Sequence, residues 1–503
     1  MSLENRDSDM DGGYGSIPRG ADAVISTDSD GLTCVEIGAS TTSKWEFREI
    51  GRNASPLMVT FLLQMSLSFM TVVSVGQLNA LDLGGVSLAN VTFAATSAVF
   101  QGLATCLDTL CPQAYGSKRY QLVGLYLQRC LAISMLVAVP VALLWWFSAD
   151  VLRFMVDDPR LVIIAARFLR VMVASIPGYV VFECGKKYLQ AQNDFTTGQY
   201  ILFVCAPLNA VLNYVLVFRL KMGYIGAPIA TALTFTLMGA SIAACIWYLQ
   251  GKNGERECWN PISNWRPIFS QWGTMVSLAV PGIIMIEAEF LAFESLTVLA
   301  AKFGTDALAA QSIVASVQTL TFQVPFSTGV AASNRIAYHI GKKQIQDCKI
   351  AARTVLVQIG GILAVSNFAF LVLGRHRVSA FFSKDEGVVK LASEILPIIA
   401  VNQFADVFNV LSAGILRAQG RQRLGGILNI VAYYVVGIPA AMILGFHTSL
   451  EIKGFWIGLG CGIFVLAIGE VYCVWLSDWS RIIHDSHLLH KSEVSNDFEE
   501  ATE

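Results

Sequence analysis

Three glutamates lie inside a long apolar stretch of the sequence, where charged side chains are rare. Glu287, Glu289 and Glu294 belong to the segment IEAEFLAFE, and the surrounding apolar run from Met275 to Ala301 contains no Lys or Arg. An ionised carboxylate in the middle of a membrane costs about 2.5–3.5 kcal/mol. We therefore expect these carboxyl groups to be neutral while buried and to ionise when water reaches them, because burial disfavours the charged form. Groups of this kind can carry protons.

Helix geometry limits which of the three glutamates can act together. Glu287 and Glu294 are seven residues apart and fall on nearly the same helix face, whereas Glu289 points roughly opposite Glu287 and about 140° away from Glu294. The three cannot all line one cavity unless the helix bends, and Pro281 is placed where it could bend it. The alternative for any single glutamate is structural, since it could reach the membrane surface or cap polar groups of a neighbouring helix.

A further acid, Asp406, lies about two-thirds of the way through the apolar run 389–414. Gln403 and Asn409 are three residues away on either side, so they share its helix face. Other polar side chains in apolar runs could line a cavity or could equally join neighbouring helices by hydrogen bonds. The cavity-lining candidates, with one aromatic residue suited to a flat organic cation, are Gln64, Asn209, Asn213, Phe293, Gln311, Gln403, Asn429 and Tyr433; further polar residues of this kind are Gln323, Tyr434 and Glu470.

The composition predicts a membrane protein. Of the 503 residues, 54% are hydrophobic and 14% are charged, whereas soluble domains contain about 25% charged residues. The net charge of −2 gives no basic patch for nucleic acid. The 11 cysteines are scattered and form neither a metal motif nor a disulfide framework. No HExxH, nucleophile or phosphate-loop motif indicates an enzyme, so we expect no catalysis, no cofactor and no bound metal.

Apolar runs long enough to cross a lipid bilayer recur between short polar breaks. They must form helices, because lipid offers no partner to unpaired backbone groups. Lys and Arg are more frequent in the breaks on the side of the N-terminal segment, which predicts that both termini are cytosolic. The twelve predicted spans are 56–80, 88–111, 125–148, 160–182, 196–218, 224–249, 274–301, 306–330, 351–374, 389–414, 424–446 and 453–477.

The polar segments complete the predicted organisation. In the C-terminal tail, His484, His487 and His490 recur at intervals of three, a spacing that could hold a metal ion but is more typical of a solvated helix end. The predicted parts of the chain are a disordered cytosolic tail (1–55), a six-helix bundle (56–249), a cytosolic linker (250–273), a second six-helix bundle (274–477) and a cytosolic tail (478–503).

The two predicted bundles repeat each other weakly. The segment YLQAQ at 188–192 corresponds to ILRAQ at 415–419, and FMVDDPRLVIIAARFL at 154–169 corresponds to FFSKDEGVVKLASEIL at 381–396, with an offset of about 227 residues in both cases. Because each repeat contains six helices, the halves are parallel copies related by an axis along the membrane normal. Halves of this kind usually enclose a central cavity and rock against each other, which is typical of transport proteins.

Longer motifs resemble one family of transporters. The segments LDTLCPQAYGSKRYQLVGLYLQR (107–129), LAVPGIIMIEAEFLAFE (278–294), VPFSTGVAASNRIAYHIG (324–341) and GILRAQGRQRLGGILNIVAYYVVGIP (414–439) are similar to motifs of the multidrug and toxic compound extrusion (MATE) family, eukaryotic branch. The resemblance covers roughly residues 55–477. It implies an all-α membrane protein whose two bundles form a V around a central cleft, and the export of organic cations and other xenobiotics in exchange for protons.

The resemblance also implies roles for individual residues. It identifies Glu289 and Glu294 as the essential acidic pair of the seventh helix and Asp406 as the acid of the tenth. Glu287 stands where relatives carry an apolar residue or Cys, so it is a possible further coupling residue without an assigned role. Phe293 replaces a common Tyr, and Ser316 falls where some animal relatives carry another Glu. These departures affect the expected range of substrates more than the coupling mechanism.

Other functions remain as alternatives. A flippase for lipid-linked precursors would need a cationic cleft, and Lys and Arg are scarce in the spans. A receptor or scaffold would need no ionisable residue at mid-membrane. An antiporter coupled to Na⁺ stays open, because Na⁺ also binds carboxylate and carbonyl oxygens. We expect a monomer that binds small organic substrates and protons within the bilayer of either the plasma membrane or the vacuolar membrane.

Overall fold

The computed structural model of the protein describes residues 23–27, 33–37, 39–154, 156, 158–252, 258–259 and 266–499. Within these ranges the chain is built almost entirely of α-helices. They are preceded by an antiparallel hairpin of two short strands, β1 (Ala23–Thr27) and β2 (Thr33–Ile37). The predicted all-α membrane fold is confirmed.

The helices fall into two successive groups along the chain. The first half contains α1 (Ser43–Gly76), α2 (Ala80–Gly116), α3 (Tyr120–Trp146), α4 (Ser148–Leu152), α5 (Pro159–Met172), α6 (Ile176–Ala191), α7 (Thr197–Tyr214) and α8 (Gly226–Lys252). The second half contains α9 (Arg266–Phe269), α10 (Trp272–Ala300), α11 (Thr305–Gly341), α12 (Ile345–Arg353), α13 (Gly360–Phe382), α14 (Glu386–Ala418), α15 (Gln422–Ile430), α16 (Ile438–Phe446), α17 (Ile452–Trp475) and α18 (Trp479–Glu499).

Several membrane spans combine two of these helices. A 3₁₀ turn joins α5 to α6, and π-helical turns at Thr354–Ile359 and Val431–Gly437 join α12 to α13 and α15 to α16. Among the described residues, eleven continuous helices are long and apolar enough to cross a membrane. The 37-residue α11 lies between the seventh and ninth spans in the chain, so with it the predicted order of twelve spans is recovered.

Equivalent positions in the two halves carry the same local structure. Asp158 caps α5, where its side chain accepts a hydrogen bond from the backbone N–H of Arg160, and Asp385 caps α14 in the same way, 227 residues later. Lys118 and Lys343 both adopt a φ of 61°, in the turns that follow α2 and α11. Left-handed backbone at non-glycine residues is uncommon. The internal repeat seen in the sequence therefore corresponds to repeated caps and turns.

The two halves meet at one end of the molecule, here called the terminal face. It is the end at which α1 begins and at which α2, α11, α14 and α17 end. Helix α2 packs against α10 and α11, and α1 packs against α11. Among the described residues, the hydrogen bonds between the halves cluster here; for example, Gln113 Nε2 donates to the Ala418 carbonyl at 2.8 Å.

The predicted disordered tail 1–55 differs from the structure in its described part, because α1 begins at Ser43 and the hairpin precedes it; residues 1–22, 28–32 and 38 lie outside the described residues. Helix α1 is anchored by Glu46, which is fully buried and accepts hydrogen bonds from Arg335 at 2.8 and 2.9 Å. His339 lies 3.1 Å from the same carboxylate. These partners are on α11, so local polarity could not reveal that the segment is ordered.

The C-terminal tail also differs from the prediction, because residues Trp479–Glu499 form α18. His490, expected at a solvated helix end, is 0% exposed, and its Nδ1 lies 2.8 Å from the hydroxyl of Tyr126. Among the residues that the structure describes, no group of three or more His, Cys, Asp or Glu side chains could hold a metal ion. Much of the predicted linker, residues 253–257 and 260–265, lies outside the described residues.

Candidate functional site

The acidic side chains of α10 have different neighbours. Glu289 is partly buried and lies in electrostatic range of Asp406, Glu470 and Arg417. Glu287 is also partly buried, but it lies near Tyr434, and one of its carboxylate oxygens has no hydrogen-bond partner within the described residues. Since α10 is continuous through Pro281, Glu287 and Glu289 point in different directions, as the helix geometry predicts.

Asp406 is buried within α14, with 1% of its surface exposed. One carboxylate oxygen accepts a hydrogen bond from Asn409 Nδ2 at 3.2 Å, and the other has no partner within the described residues. Gln403, on the same face, accepts a hydrogen bond from Asn367 Nδ2 at 3.1 Å instead. Asn409 therefore orients the acid, while Gln403 joins α14 to α13.

Two further side chains face these acids. Tyr433 lies in the π-helical turn of the eleventh span, and Glu470 lies in α17; both are 0% exposed. The Tyr433 hydroxyl is in electrostatic range of Glu289, Asp406 and Glu470. Neither that hydroxyl nor either oxygen of Glu470 has a hydrogen-bond partner within the described residues. We call Glu289, Asp406 and Glu470 the acid cluster.

The acid cluster is unlike the buried acids of the first half. There, Lys187 Nζ lies 2.8 Å from Asp108, and Lys186 Nζ lies 2.9 Å from Glu183. A buried polar group without a partner costs about 1–3 kcal/mol, and a charged one costs more. The first-half acids are therefore stabilised by ion pairs, whereas Asp406 and Glu470 of the acid cluster have free hydrogen-bonding capacity that a proton could use.

Two arginines within the predicted span 160–182 are not partners of the acid cluster. Arg167 and Arg170 are both exposed; Arg167 contacts the Tyr224 hydroxyl, and Arg170 donates to the Trp146 carbonyl. Arg417 is buried at the terminal end of α14, and its Nε has no hydrogen-bond partner within the described residues. It is the cation that sequence reasoning missed, because it occurs at the polar end of a span.

Most of the predicted cavity-lining polar residues join helices within one half. Gln64 donates to Glu183 at 2.7 Å, and Asn209 donates to Thr234 at 3.1 Å. Asn213 donates to the Asn209 side chain at 3.1 Å, and Asn429 donates to a carbonyl of its own helix. For these residues the structure favours hydrogen bonding between and within helices over the alternative role of lining a cavity.

An aromatic group lies beside the sequence-adjacent pair Phe293 and Glu294. The Phe293 ring is centred 6.4 Å from Tyr433 and 6.0 Å from Trp456. Trp456 Nε1 donates to Gln311 Oε1 at 2.8 Å, which fixes the indole. Glu294 is partly buried and lies five residues, or about 7 Å along the helix, beyond Glu289. Aromatic surface and carboxylates thus occupy one region of the second half.

The chain matches the MatE family model over residues 56–215 and 281–443. It is also 39% identical over 482 residues to the uncharacterized transporter YDR338C of Saccharomyces cerevisiae, covering 95% of this chain and 68% of that one. This chain belongs to the MATE family. Its members are transporters rather than enzymes, and the fold makes this one an integral membrane protein.

Other MATE proteins are more distant but cover most of the chain. Protein DETOXIFICATION 16 of Arabidopsis thaliana is 28% identical over 88% of this chain and 91% of its own length. Multidrug and toxin extrusion protein 1 of Danio rerio is 28% identical over 88% of this chain and 74% of its own. The crystal structure of the eukaryotic MATE transporter AtDTX14 superposes with a TM-score of 0.82 at 25% identity, covering 88% of this chain and 98% of that one. The predicted MATE resemblance is confirmed.

Proposed function

We propose that this protein exports small organic cations and related amphiphiles in exchange for protons. The observation that carries the proposal is that Asp406, in the second half, is buried without a basic partner at hydrogen-bond distance and lies in electrostatic range of Glu289. Glu289, Glu294 and Asp406 are the coupling residues, and Glu287 is a further acid of the same helix. The names of the related multidrug and toxin extrusion proteins support export of drugs and toxins, and the preference for cations is inferred from the carboxyl groups.

Coupling follows from competition for the same carboxyl groups. A carboxyl that holds a proton is neutral and does not attract a cation, whereas a carboxylate that binds a cation has no free charge for a proton. Binding of one ligand therefore lowers the affinity for the other by the same factor. Rocking of the halves exposes the site to the two sides in turn, so a proton gradient can drive the cation outward.

The aromatic group beside Glu294 supports a flat cationic substrate. A cation positioned over an aromatic ring within about 6 Å of its centre is attracted by the ring electrons. Phe293, which is partly exposed, lies near the acids and beside the buried rings of Tyr433 and Trp456. The same surroundings disfavour the pyrophosphate group of a lipid-linked precursor, because carboxylates repel anions.

We infer that the terminal face is cytosolic, which places both termini in the cytosol and directs export across the plasma membrane or the vacuolar membrane. Positive charge at that face supports this orientation. Basic residues at the helix ends and turns of the terminal face are Lys44, Arg48, Arg52, Lys118, Arg119, Lys342, Lys343, Arg421 and Arg423. Since the halves converge there, the cleft in this conformation opens to the opposite side. Protons from that side then bind to the carboxyl groups of the site.

Transport into reconstituted vesicles tests the proposal. Vesicles containing the full-length protein, with an imposed pH gradient, should accumulate a fluorescent organic cation and dissipate the gradient. Glu294→Gln and Asp406→Asn should each lower this uptake at least about tenfold while the protein remains folded. Glu386→Gln, which alters an exposed carboxyl at the start of α14, is the matched control and should transport normally.

A second set of gradients separates the alternatives. Uptake driven by a Na⁺ gradient but not by a pH gradient would contradict proton coupling and favour the sodium-coupled antiporter. Normal proton-driven uptake by Glu294→Gln and Asp406→Asn would contradict the role assigned to these residues.

A further inference from the structure

Glu470 is a buried carboxyl that is not among the coupling residues of the proposed exchange. It lies in α17, is 0% exposed, and has no hydrogen-bond partner on either oxygen within the described residues. Buried polar groups are nearly always satisfied, so this one requires an explanation. Residue 470 lies beyond the segments that match the MatE model, and those segments therefore assign it nothing.

Three elements present ionisable groups to Glu470. Glu289 comes from α10, Tyr433 from the π-helical turn, and Arg417 from the end of α14. Arg417 is close enough for electrostatic attraction, but neither oxygen of Glu470 is hydrogen-bonded to it. Glu470 is thus in electrostatic range of both Glu289 and Arg417, but it is hydrogen-bonded to neither.

Glu470 lies nearer to the terminal face than the other acids. It is five residues before the end of α17, or about 7 Å along the helix, whereas Asp406 is twelve residues before the end of α14, or about 18 Å. The two helix ends lie at a similar level, because Arg421 Nη1 donates to the Cys473 carbonyl at 3.3 Å. Along the helix axes, Glu470 therefore lies between the level of Asp406 and the terminal face.

Helix α15 leads from Glu470 toward a cavity at the terminal face. Gly425 of α15 approaches Glu470 closely, since a Cβ built there would lie 3.5 Å from Glu470 Oε1. One helical turn away on α15, Gln422 Nε2 donates to the Thr109 hydroxyl at 3.0 Å. Thr109 lines a cavity of about 560 Å³ at the terminal face, whose charged lining residues are Arg421, Asp478, Arg481 and Asp485.

We propose that Glu470 is an additional proton-binding group through which protons leave the exchange site toward the terminal face. The Glu470 carboxylate accepts a proton released by Asp406 or Glu289 and passes it to water in the terminal-face cavity, with Arg417 stabilising the charged form in between. The Tyr433 hydroxyl is in electrostatic range of all three acids and can relay the same proton. This inference rests on the proposed proton coupling and adds the exit route to it.

Two transport modes distinguish an exit group from a substrate-binding or structural residue. Uptake driven by a pH gradient requires net proton movement, whereas exchange of labelled for unlabelled organic cation, without a gradient, does not. In vesicles containing the full-length protein, Glu470→Gln should lower gradient-driven uptake at least about tenfold and leave the exchange of labelled cation within about twofold of wild type. Glu470→Asp, which restores a carboxyl, should recover gradient-driven uptake and its dependence on pH.

The controls keep this proposal separate from proton coupling itself. If wild-type protein shows no uptake driven by a pH gradient, the proposed function fails. If wild type does and Glu470→Gln transports equally well with the same pH profile, the exit role of Glu470 is wrong while proton coupling stands. Loss of both transport modes in Glu470→Gln, without recovery in Glu470→Asp, would also overturn the exit role, because it would indicate a structural residue.

Discussion

Gly116 and Gly341 occupy equivalent positions in the two halves, and each lies against the backbone of the other's helix. A Cβ built at Gly116 would lie 2.3 Å from the Tyr338 carbonyl oxygen, and one at Gly341 would lie 2.2 Å from the Gln113 carbonyl oxygen. Side-chain atoms do not approach backbone this closely, so α2 and α11 can meet here only because both residues lack a side chain. The contact closes the terminal face.

Gly341→Ala should therefore push α2 and α11 apart at the terminal face. The expected result is a shift of the population toward conformations with this face open, together with slower transport, because the closed state loses its contact. Pulsed electron paramagnetic resonance between spin labels in the turns after α2 and α11 measures the separation. Gly361→Ala is the control, since a Cβ at Gly361 meets nothing within 4 Å. An unchanged distance distribution in Gly341→Ala would show that this contact does not hold the face closed.

Neutralising a paired buried acid should destabilise the protein much more than neutralising an unpaired one. Asp108→Asn leaves Lys187 buried without its carboxylate, and removing one member of a buried pair costs about 3–5 kcal/mol. Asp406→Asn removes an acid that has no basic partner at hydrogen-bond distance, so the change in unfolding free energy should be about 1 kcal/mol or less.

Thermal unfolding in detergent, combined with vesicle uptake, measures both effects. We expect a lowered unfolding midpoint for Asp108→Asn, and a nearly unchanged midpoint with lost proton-driven uptake for Asp406→Asn. Equal destabilisation by the two substitutions would contradict the distinction between the halves.

Helix α18 should loosen as the pH falls. Burial, together with the charges of Arg119 and His487, lowers the pKa of His490 to about 3. A histidine that is neutral when docked and protonated when released stabilises docking fully above its ordinary pKa of about 6.5. This stabilisation decreases as the pH falls below about 6.5 and is lost near pH 3.

Hydrogen exchange of α18, measured between pH 7 and pH 4 with correction for the intrinsic exchange rate, tests this expectation. His490→Gln should reduce the pH dependence of protection, and His376→Gln, at an exposed position of α13, should leave it unchanged. Protection in the wild type that is independent of pH would rule out the contribution of His490.

The parts of the fold set by local sequence could be predicted, and those set by tertiary contacts could not. Apolar runs of sufficient length identify the spans, and acids such as Glu289 stand out because charge is rare within those runs. Glu470 was equally visible in the sequence, but its lack of partners depends on how α10, α14 and α17 pack. The order of α18 was missed because its polar composition fits solvent, while its burial depends on contacts with Tyr126 and Arg129 in the first half.

Helix α18 touches both halves of the transporter at once. Ser486 donates to Gln113 in the first half at 2.7 Å, and His487 lies 3.1 Å from the Gly341 carbonyl in the second. One rigid rod cannot keep both attachments when the bundles separate at that face. In the proposed exchange cycle, α18 therefore undocks from at least one bundle each time, and the strength of its docking sets how long the carrier rests in the observed state.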